Sequence, residues 1–312
     1  SFSEFGFSNR LQAKLSAEKW SNPYPIQKEV IPQIIAGKDI LGIAPTGSGK
    51  TAAFVLPIIT KLEKRRFEKN RHIDVLVLVP TRELAIQIND VFRVFGSAVS
   101  FSFKSQAVFG GASINPQMKS LSGVNVLIAT PGRLLDLVRS NAVHLSDLSC
   151  LVLDEADKIL NLGFKKEIDE ILKLIPDQRQ NLLFSATLSS EIQKMEKLLL
   201  KSPSVIEIKK NEEDISLIEQ TGYFVRPENK GPLLRYFILK EDLQQVLVFT
   251  SSTYQADLVA DKLRKNGIEA QAIHSKKSQG KRKMVLTDFK SGMLRVLVAT
   301  DVAARGIDIS NL

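Results

Sequence analysis

The sequence predicts an α/β protein with two domains, each a mostly parallel β-sheet flanked by helices. Short β-branched runs alternate with longer segments of helical spacing, a pattern typical of parallel sheets covered by helices. The charged stretch KKNEED interrupts this alternation, and a chain of 312 residues is long enough for two domains. We therefore expect domains at residues 1–208 and 215–312, joined by a linker at 209–214.

Six apolar runs mark the expected strands of the first domain, and three more follow the linker. The first six are DILGI near residue 39, VLVLV near 75, NVLIA near 125, CLVLD near 150, NLLFS near 181 and SVIEI near 204. The last three are VLVFT near 246, AQAI near 270 and RVLVAT near 295. Because ligands of such sheets collect at the carboxyl ends of the strands, the residues after each run are the candidate site residues.

Composition favours a polyanionic partner and argues against a membrane or secreted protein. The net charge is +9, which suits phosphate contacts, although many basic proteins bind no nucleic acid. No apolar run approaches the roughly 20 residues of a membrane span, and the N-terminus lacks the order of a signal peptide. The single cysteine, Cys150, indicates a packing residue in a reducing compartment. We expect cytoplasmic localisation, or nuclear localisation in a eukaryote.

A phosphate-binding loop follows the first strand. In APTGSGKT, small residues let backbone N–H groups surround phosphates, the lysine reaches the β and γ phosphates, and the threonine hydroxyl can ligate Mg²⁺. The usual first glycine of this pattern is replaced by alanine, so the pattern is only partly met. The candidate nucleotide-binding residues of this loop are Ala44, Thr46, Gly47, Ser48, Gly49, Lys50 and Thr51.

Carboxylates crowd the end of the strand CLVLD. Like charges so close together resist desolvation unless they are exposed or face a cation. A nucleotide-bound Mg²⁺ near Thr51 provides that cation, so Asp154 is the candidate metal partner through water and Glu155 the candidate group that orients or deprotonates the attacking water. Lys50, Asp154 and Glu155 are the expected catalytic residues. For Asp157 a role at a helix start is equally well supported.

Many ordered motifs together resemble the DEAD-box ATP-dependent RNA helicases. Besides APTGSGKT and DEAD, the chain contains PTRELA, a glycine pair, TPGR and SAT in the first half. The second half adds VLVFTSS, a spaced glutamine and arginine, and ATDVAARGID. The resemblance implies two RecA-like domains, ATP and Mg²⁺ as cofactors, RNA and protein cofactors as partners, a monomer, and ATP hydrolysis coupled to local separation of RNA duplexes. A nucleotide-dependent RNA clamp and a P-loop ATPase that remodels DNA or protein are the alternatives.

The resemblance also implies roles for individual residues. PYPIQ would read adenine through Gln27, whose amide matches the N6 and N7 edge, with Phe2 and Trp20 as aromatic partners and Asp308 at the ribose. Lys19 stands where the family often has glycine. RNA contacts would involve Pro80, Thr81, Arg82, Gly110, Gly111, Thr130, Pro131, Gly132, Arg133, Gln279, Arg282 and Thr300. Coupling between the nucleotide and RNA sites would involve Ser185, Ala186, Thr187, Arg305 and Gly306.

Several of these motifs also have structural interpretations. Arg133 could form a salt bridge within its domain, the glycine pair could make an ordinary turn, and SAT could cap the following helix. The basic segment SKKSQGKRK fits a solvated helix start, a nuclear signal or a phosphate contact. The family's later arginine-rich motif is absent. We therefore expect the second domain to be incomplete, and this chain to bind adenine nucleotide with little RNA-stimulated hydrolysis.

Overall fold

The computed structural model describes residues 1–63, 72–99, 102–209 and 219–300. The chain divides into two compact units, Ser1–Ile215 and Ser216–Leu312. Most of the predicted linker, 210–214, and three predicted site residues, Arg305, Gly306 and Asp308, lie outside the described residues. None of the helices in the described part of the chain combines the length and apolar character of a membrane-spanning helix.

The first unit contains a seven-stranded parallel sheet in the order β3-β4-β2-β5-β6-β1-β7. Its strands are β1 Ile40–Ile43, β2 Val75–Leu78, β3 Ser105–Val108, β4 Val126–Ala129, β5 Cys150–Leu153, β6 Gln180–Ser185 and β7 Ser204–Glu207. Its helices are α1 Asn9–Ala17, α2 Pro25–Ile35, α3 Lys50–Leu62, α4 Arg82–Gly96, α5 Ile114–Lys119, α6 Pro131–Arg139, α7 Ala156–Asn161, α8 Lys165–Leu172 and α9 Ser190–Leu199, after a 3₁₀ turn at Phe2–Phe5.

Apolar layers cover both faces of this sheet. Successive side chains of a strand point to opposite faces, so Val75 and Val77 of β2 pack in one cluster while Leu76 and Leu78 pack in the other. Cys150 is buried in the first cluster, as predicted for a packing residue. Since both faces are covered, the polar groups that can meet a ligand lie at the carboxyl edge of the sheet.

The second unit repeats the strand arrangement of part of the first. Its strands β8 Val246–Thr250, β9 Ala270–Ile273 and β10 Val296–Thr300 form a parallel sheet in the order β8-β10-β9. The helices are α10 Lys230–Lys240, α11 Thr253–Lys265 and α12 Gln279–Lys290, with a 3₁₀ turn at Pro227–Asn229. In the second unit β10 lies between β8 and β9, just as β4 lies between β2 and β3 in the first unit.

The predicted α/β class is confirmed, and all nine apolar runs form strands. The sequence prediction missed β3, because Ser105 and Gln106 interrupt its apolar pattern. This strand lies at the edge of the sheet and pairs with β4 alone. An edge strand needs less continuous apolar character than a central strand.

Candidate functional site

The phosphate loop leaves the carboxyl end of β1 and ends where α3 begins. Gly47 and Gly49 have φ angles of 81° and 89°, the left-handed region that glycine adopts without steric cost. The Lys50 ammonium is buried and donates a hydrogen bond to the Ala44 carbonyl at 2.7 Å. The Ser48 hydroxyl is buried and has no hydrogen-bond partner among the described residues. The loop thus holds buried polar groups that phosphate oxygens can satisfy.

The two acidic residues after β5 lie at the same edge of the sheet, because β1 and β5 both pair with β6. Asp154 is 2% exposed and accepts a hydrogen bond from the Glu155 backbone N–H at 2.9 Å. Burial raises the pKa of Asp154 to about 6, although the nearby Lys50 opposes the rise. Burial also lowers the pKa of Lys50, against the opposing effect of Asp154 and Glu155. The cation and carboxylates predicted to act together therefore interact electrostatically.

Glu155 has an unusual backbone and one unpartnered oxygen. Its φ of 51° lies in the left-handed region, which costs a residue with a side chain on the order of 1–2 kcal/mol. Oε1 accepts a hydrogen bond from Lys158 Nζ at 2.6 Å, whereas Oε2 is buried without a partner among the described residues. The carboxylate is therefore held at one oxygen and able to accept a proton or hydrogen bond at the other.

Gln27 connects the PYPIQ segment to the phosphate loop. Its side chain is 2% exposed, donates from Nε2 to the Gly49 carbonyl at 3.0 Å, and accepts at Oε1 from the Tyr24 N–H at 2.9 Å. Each of these groups retains capacity for one further hydrogen bond. Gln27 is thus buried and fixed in orientation, although a glutamine considered without its motif would be expected at the surface.

A cavity of about 440 Å³ lies beside Gln27 and the start of α3. Phe2, Trp20, Tyr24 and Thr51 are among its lining residues, so both predicted aromatic residues reach it. Phe2 is nevertheless mostly buried and packs against the rings of its phenylalanine neighbours in the N-terminal segment. Trp20 packs on Phe95 with 4.8 Å between ring centroids. One side of the cavity is therefore lined by aromatic rings that pack on other rings of the first unit.

Three of the predicted RNA motifs meet at the loop after β3. Arg82 Nη1 lies 3.5 Å from the Gly111 carbonyl oxygen, and the Gly110 N–H donates to Thr130 Oγ1 at 3.3 Å. Arg133 donates to the Ala112 carbonyl at 2.9 Å. A Cβ at Gly111 would lie 2.8 Å from the Arg82 guanidinium, and its φ is 73°. The two arginines therefore approach successive carbonyls of this loop, those of Gly111 and Ala112.

The remaining residues of these motifs are at helix starts. Thr81 caps α4 by accepting from the Leu84 N–H at 3.3 Å, and Pro131 begins α6 after Thr130. Pro80 lies in a bend between the end of β2 and the Thr81 cap, and Gly132 follows Pro131 in the first turn of α6. Arg133 also forms the salt bridge within its unit that the sequence left open, at 3.5 Å to Asp136. Its guanidinium thus has a structural role in this state.

The SAT segment ends β6 beside the phosphate loop. Ser185 is fully buried, and its carbonyl accepts from the Ala44 N–H at 3.1 Å. Hydroxyls at the end of a strand can hydrogen-bond the carboxylates of the neighbouring strand. Instead, Ser185 Oγ donates to the Thr187 carbonyl at 2.8 Å and accepts from the Thr187 N–H at 3.2 Å, across Ala186. A short local turn satisfies this hydroxyl before a longer-range partner can.

In the second unit, the basic segment is partly a helix start, because Ser278 caps α12 and accepts from the Lys281 N–H at 3.4 Å. Gln279 begins this helix, Arg282 is buried in its first turn, and Thr300 ends β10. His274 and Lys277, which precede this helix, both contact Asp257 of α11. Lys277 Nζ donates to Asp257 at 2.7 Å, and His274 Nε2 lies 3.0 Å from the same carboxylate. His274 is buried.

Sequence reasoning missed two residues of the nucleotide region, Lys158 and Tyr24. Lys158 is three residues after Glu155 in α7, a spacing at which helical side chains meet, and this signal could have identified it. Tyr24 lines the cavity, although its position between two prolines gives no chemical signal. Lys19 also lines the cavity and has a φ of 60°, so the glycine-like backbone persists without glycine.

The residues present are suited to a nucleotide and Mg²⁺. Within the described ranges, no cluster of three or more His, Cys, Asp or Glu side chains could hold a metal ion. Mg²⁺ that accompanies a nucleotide needs only one or two protein oxygens, with phosphate and water supplying the rest. A parallel sheet with this loop and these acidic residues at one edge defines a phosphate-loop protein of the nucleotide-dependent class.

Comparison with known proteins shows the family. The DEAD/DEAH box helicase model matches residues 24–195, and the helicase conserved C-terminal domain model matches residues 229–312. The chain belongs to the DEAD/DEAH box helicase family. It is 41% identical over 312 residues to the DEAD-box ATP-dependent RNA helicase CshA of Streptococcus pneumoniae and 38% identical to CshA of Listeria monocytogenes. All of this chain is matched, but it spans only 58% and 59% of those relatives.

Solved structures agree with this family. A DEAD box protein from Methanococcus jannaschii matches with 34% identity and a TM-score of 0.62, covering 100% of this chain and 83% of that one. A Saccharomyces cerevisiae Dbp5 variant bound to RNA and ADP BeF3 matches with 27% identity and a TM-score of 0.83, covering 99% of this chain and 78% of that one. The predicted RecA-like architecture is therefore confirmed.

Proposed function

We propose that the protein is an ATP-dependent RNA helicase, in which RNA-stimulated ATP hydrolysis is coupled to RNA binding and local duplex separation. Membership of the DEAD/DEAH box helicase family supports this function. The observation that carries it is the grouping of Lys50, Asp154 and Glu155 at one sheet edge, where a buried Glu155 oxygen has no partner among the described residues. Full pairing would be expected of a purely structural carboxylate.

The phosphate loop would hold the triphosphate. Its backbone N–H groups and Lys50 bind the phosphates, and Lys50 exchanges the Ala44 carbonyl for a phosphate oxygen. Thr51 and Asp154 would hold Mg²⁺, the Asp154 contact running through water. When bound, Mg²⁺ neutralises charge on the phosphates. Its positive charge also favours the ionised form of Asp154, whose pKa burial raises.

Glu155 would act on the water that attacks the γ phosphate. Lys158 holds Oε1, so Oε2 is the oxygen placed to accept a hydrogen bond and then a proton. The left-handed backbone of Glu155 turns the chain sharply between β5 and α7. Backbone strain of this kind persists where the surrounding structure enforces it, often at functional sites.

RNA would contact both units through separate groups. In the first unit, the loop held by Arg82 and Arg133 offers backbone groups that phosphates can approach closely, because glycine has no side chain. Thr81 and Thr130 lie beside it. In the second unit, Gln279, Arg282 and Thr300 are the proposed contacts. Contacts to phosphate and sugar make binding sensitive to salt and tolerant of sequence.

The test is ATP turnover by the complete protein with RNA, with DNA and without nucleic acid. We expect stimulation by RNA and little by DNA, with turnover abolished in Lys50→Ala. Lys166→Ala is the matched control, because Lys166 is an exposed lysine on α8. Turnover that RNA does not raise would contradict the helicase function, and equal stimulation by DNA would contradict the RNA substrate.

A further inference from the structure

Tyr24 contacts both halves of the proposed nucleotide site. A Cβ built on Gly49 would lie 3.0 Å from Tyr24 Cδ2 and 2.5 Å from Gln27 Nε2. The phenol ring, the base-reading amide and the phosphate loop therefore form one continuous surface. Tyr24 is also one of the residues that line the cavity beside α3.

Hydrogen bonds fix the backbone of Tyr24 beside the cavity. Tyr24 precedes α2 with φ −64° and ψ 159°, the extended conformation that a following proline favours, and Pro25 begins the helix. Its N–H donates to Gln27 Oε1 at 2.9 Å, and its carbonyl accepts from the Gln27 N–H at 2.9 Å. The segment thus holds the tyrosine beside the cavity independently of any packing by the ring.

The Tyr24 side chain is not part of the hydrophobic core, since the residue is 58% exposed. By contrast, Phe2 on the same cavity is 5% exposed. An exposed aromatic ring at the edge of a cavity can cover a ligand at low entropic cost, because it has only two side-chain torsions. Tyr24 contacts both Gln27 and Gly49, the residues at the two ends of the proposed nucleotide site.

We propose that Tyr24 is a further nucleotide-binding residue, whose ring covers the part of the nucleotide between the base and the phosphates. The inference rests on the proposed function. It differs from the predicted adenine contact of Gln27, because the ring supplies apolar surface and no base-specific hydrogen bond. Tyr24 should therefore contribute to affinity for every nucleoside diphosphate and little to the choice of base.

The test compares dissociation constants for ADP and for inorganic pyrophosphate, measured by calorimetry on the complete protein. In Tyr24→Thr, which removes the ring, we expect ADP affinity to fall about fivefold to tenfold. Pyrophosphate affinity should stay within about twofold, since pyrophosphate occupies the phosphate loop alone. Tyr24→Phe should bind ADP like the parent. Tyr254→Thr removes a tyrosine that is 70% exposed in the second unit and is the matched control.

Three outcomes would overturn the inference. Unchanged ADP affinity in Tyr24→Thr would show that the ring does not contact the nucleotide. Equal losses for ADP and pyrophosphate would show that the ring only supports the phosphate loop. Equal losses in Tyr24→Thr and Tyr24→Phe would assign the effect to the hydroxyl. A parent protein that binds neither ligand would instead refute the proposed function, which separates the two failures.

Discussion

Replacing Lys19 by glycine should stabilise the nucleotide-free protein. Lys19 follows the end of α1 with φ 60°, where its N–H donates to the Ser16 carbonyl at 3.0 Å and the next N–H donates to Leu15 at 2.9 Å. This is the helix-ending turn that usually contains glycine. The left-handed conformation costs roughly 1–2 kcal/mol with a side chain, and glycine loses about 0.5–1 kcal/mol in added chain entropy. The expected net gain is about 0.5–1 kcal/mol.

Thermal unfolding measures this gain directly. For a unit of this size, the gain corresponds to a midpoint increase of about 1–4 °C. Trp20, the single tryptophan, adjoins the substitution and packs on Phe95, so its fluorescence reports unfolding of this region. Glu18→Gly is the matched control, because Glu18 has φ −81° and glycine there should lower the midpoint. If Lys19→Gly unfolds at or below the parent midpoint, the attribution of strain to Lys19 is wrong.

Three further predictions concern the site. Glu155→Gln should keep ADP binding and lower ATP turnover of the complete protein by about 10² or more, and full turnover would remove Glu155 from the mechanism. Gln27→Ala should reduce the preference for ATP over GTP, measured as the ratio of their dissociation constants, because hydrogen bonds orient the Gln27 amide that would bind the base. An unchanged ratio would show that other residues determine the preference for adenine. Without nucleotide, the free energy of unfolding should fall by up to about 3 kcal/mol as the pH rises from about 4 to about 7. The reason is that the pKa of Asp154 is raised to about 6 in the folded protein, so folding favours the protonated carboxyl group and loses stability as that group ionises. Asp154→Asn should remove most of that slope in urea denaturation, and an equal slope in both proteins would contradict the burial effect.

Strand ends were predictable because their signals are local in the sequence. The run DILGI, followed by small residues and Lys50, specifies a buried strand and a phosphate loop within a dozen positions. Likewise, three apolar residues before Asp154 place it at a sheet edge. What brings β1 and β5 to opposite sides of β6 is long-range pairing, which the motif resemblance implied but periodicity could not.

The finer geometry could not be predicted, because it depends on competition between nearby partners. Ser185 Oγ bonds the carbonyl and the N–H of Thr187 in its own turn, a local alternative to a carboxylate on the next strand. The left-handed φ of Glu155 follows from how β5 joins α7, and no residue type in DEAD signals it. The proximity of Tyr24 to the phosphate loop likewise depends on the fold, which brings its ring next to Gly49.

The position of β1 between β6 and β7 determines when the phosphate loop can form during protein synthesis. Ile40 pairs with Leu182 on one side and with Ser204 on the other. The ribosome therefore makes the loop early, yet the strand that supports it has no sheet neighbour until nearly all of the first unit has emerged. Pairing over such sequence distances is slow. A bound nucleotide would therefore stabilise the first unit only after β6 has been made and can pair with β1.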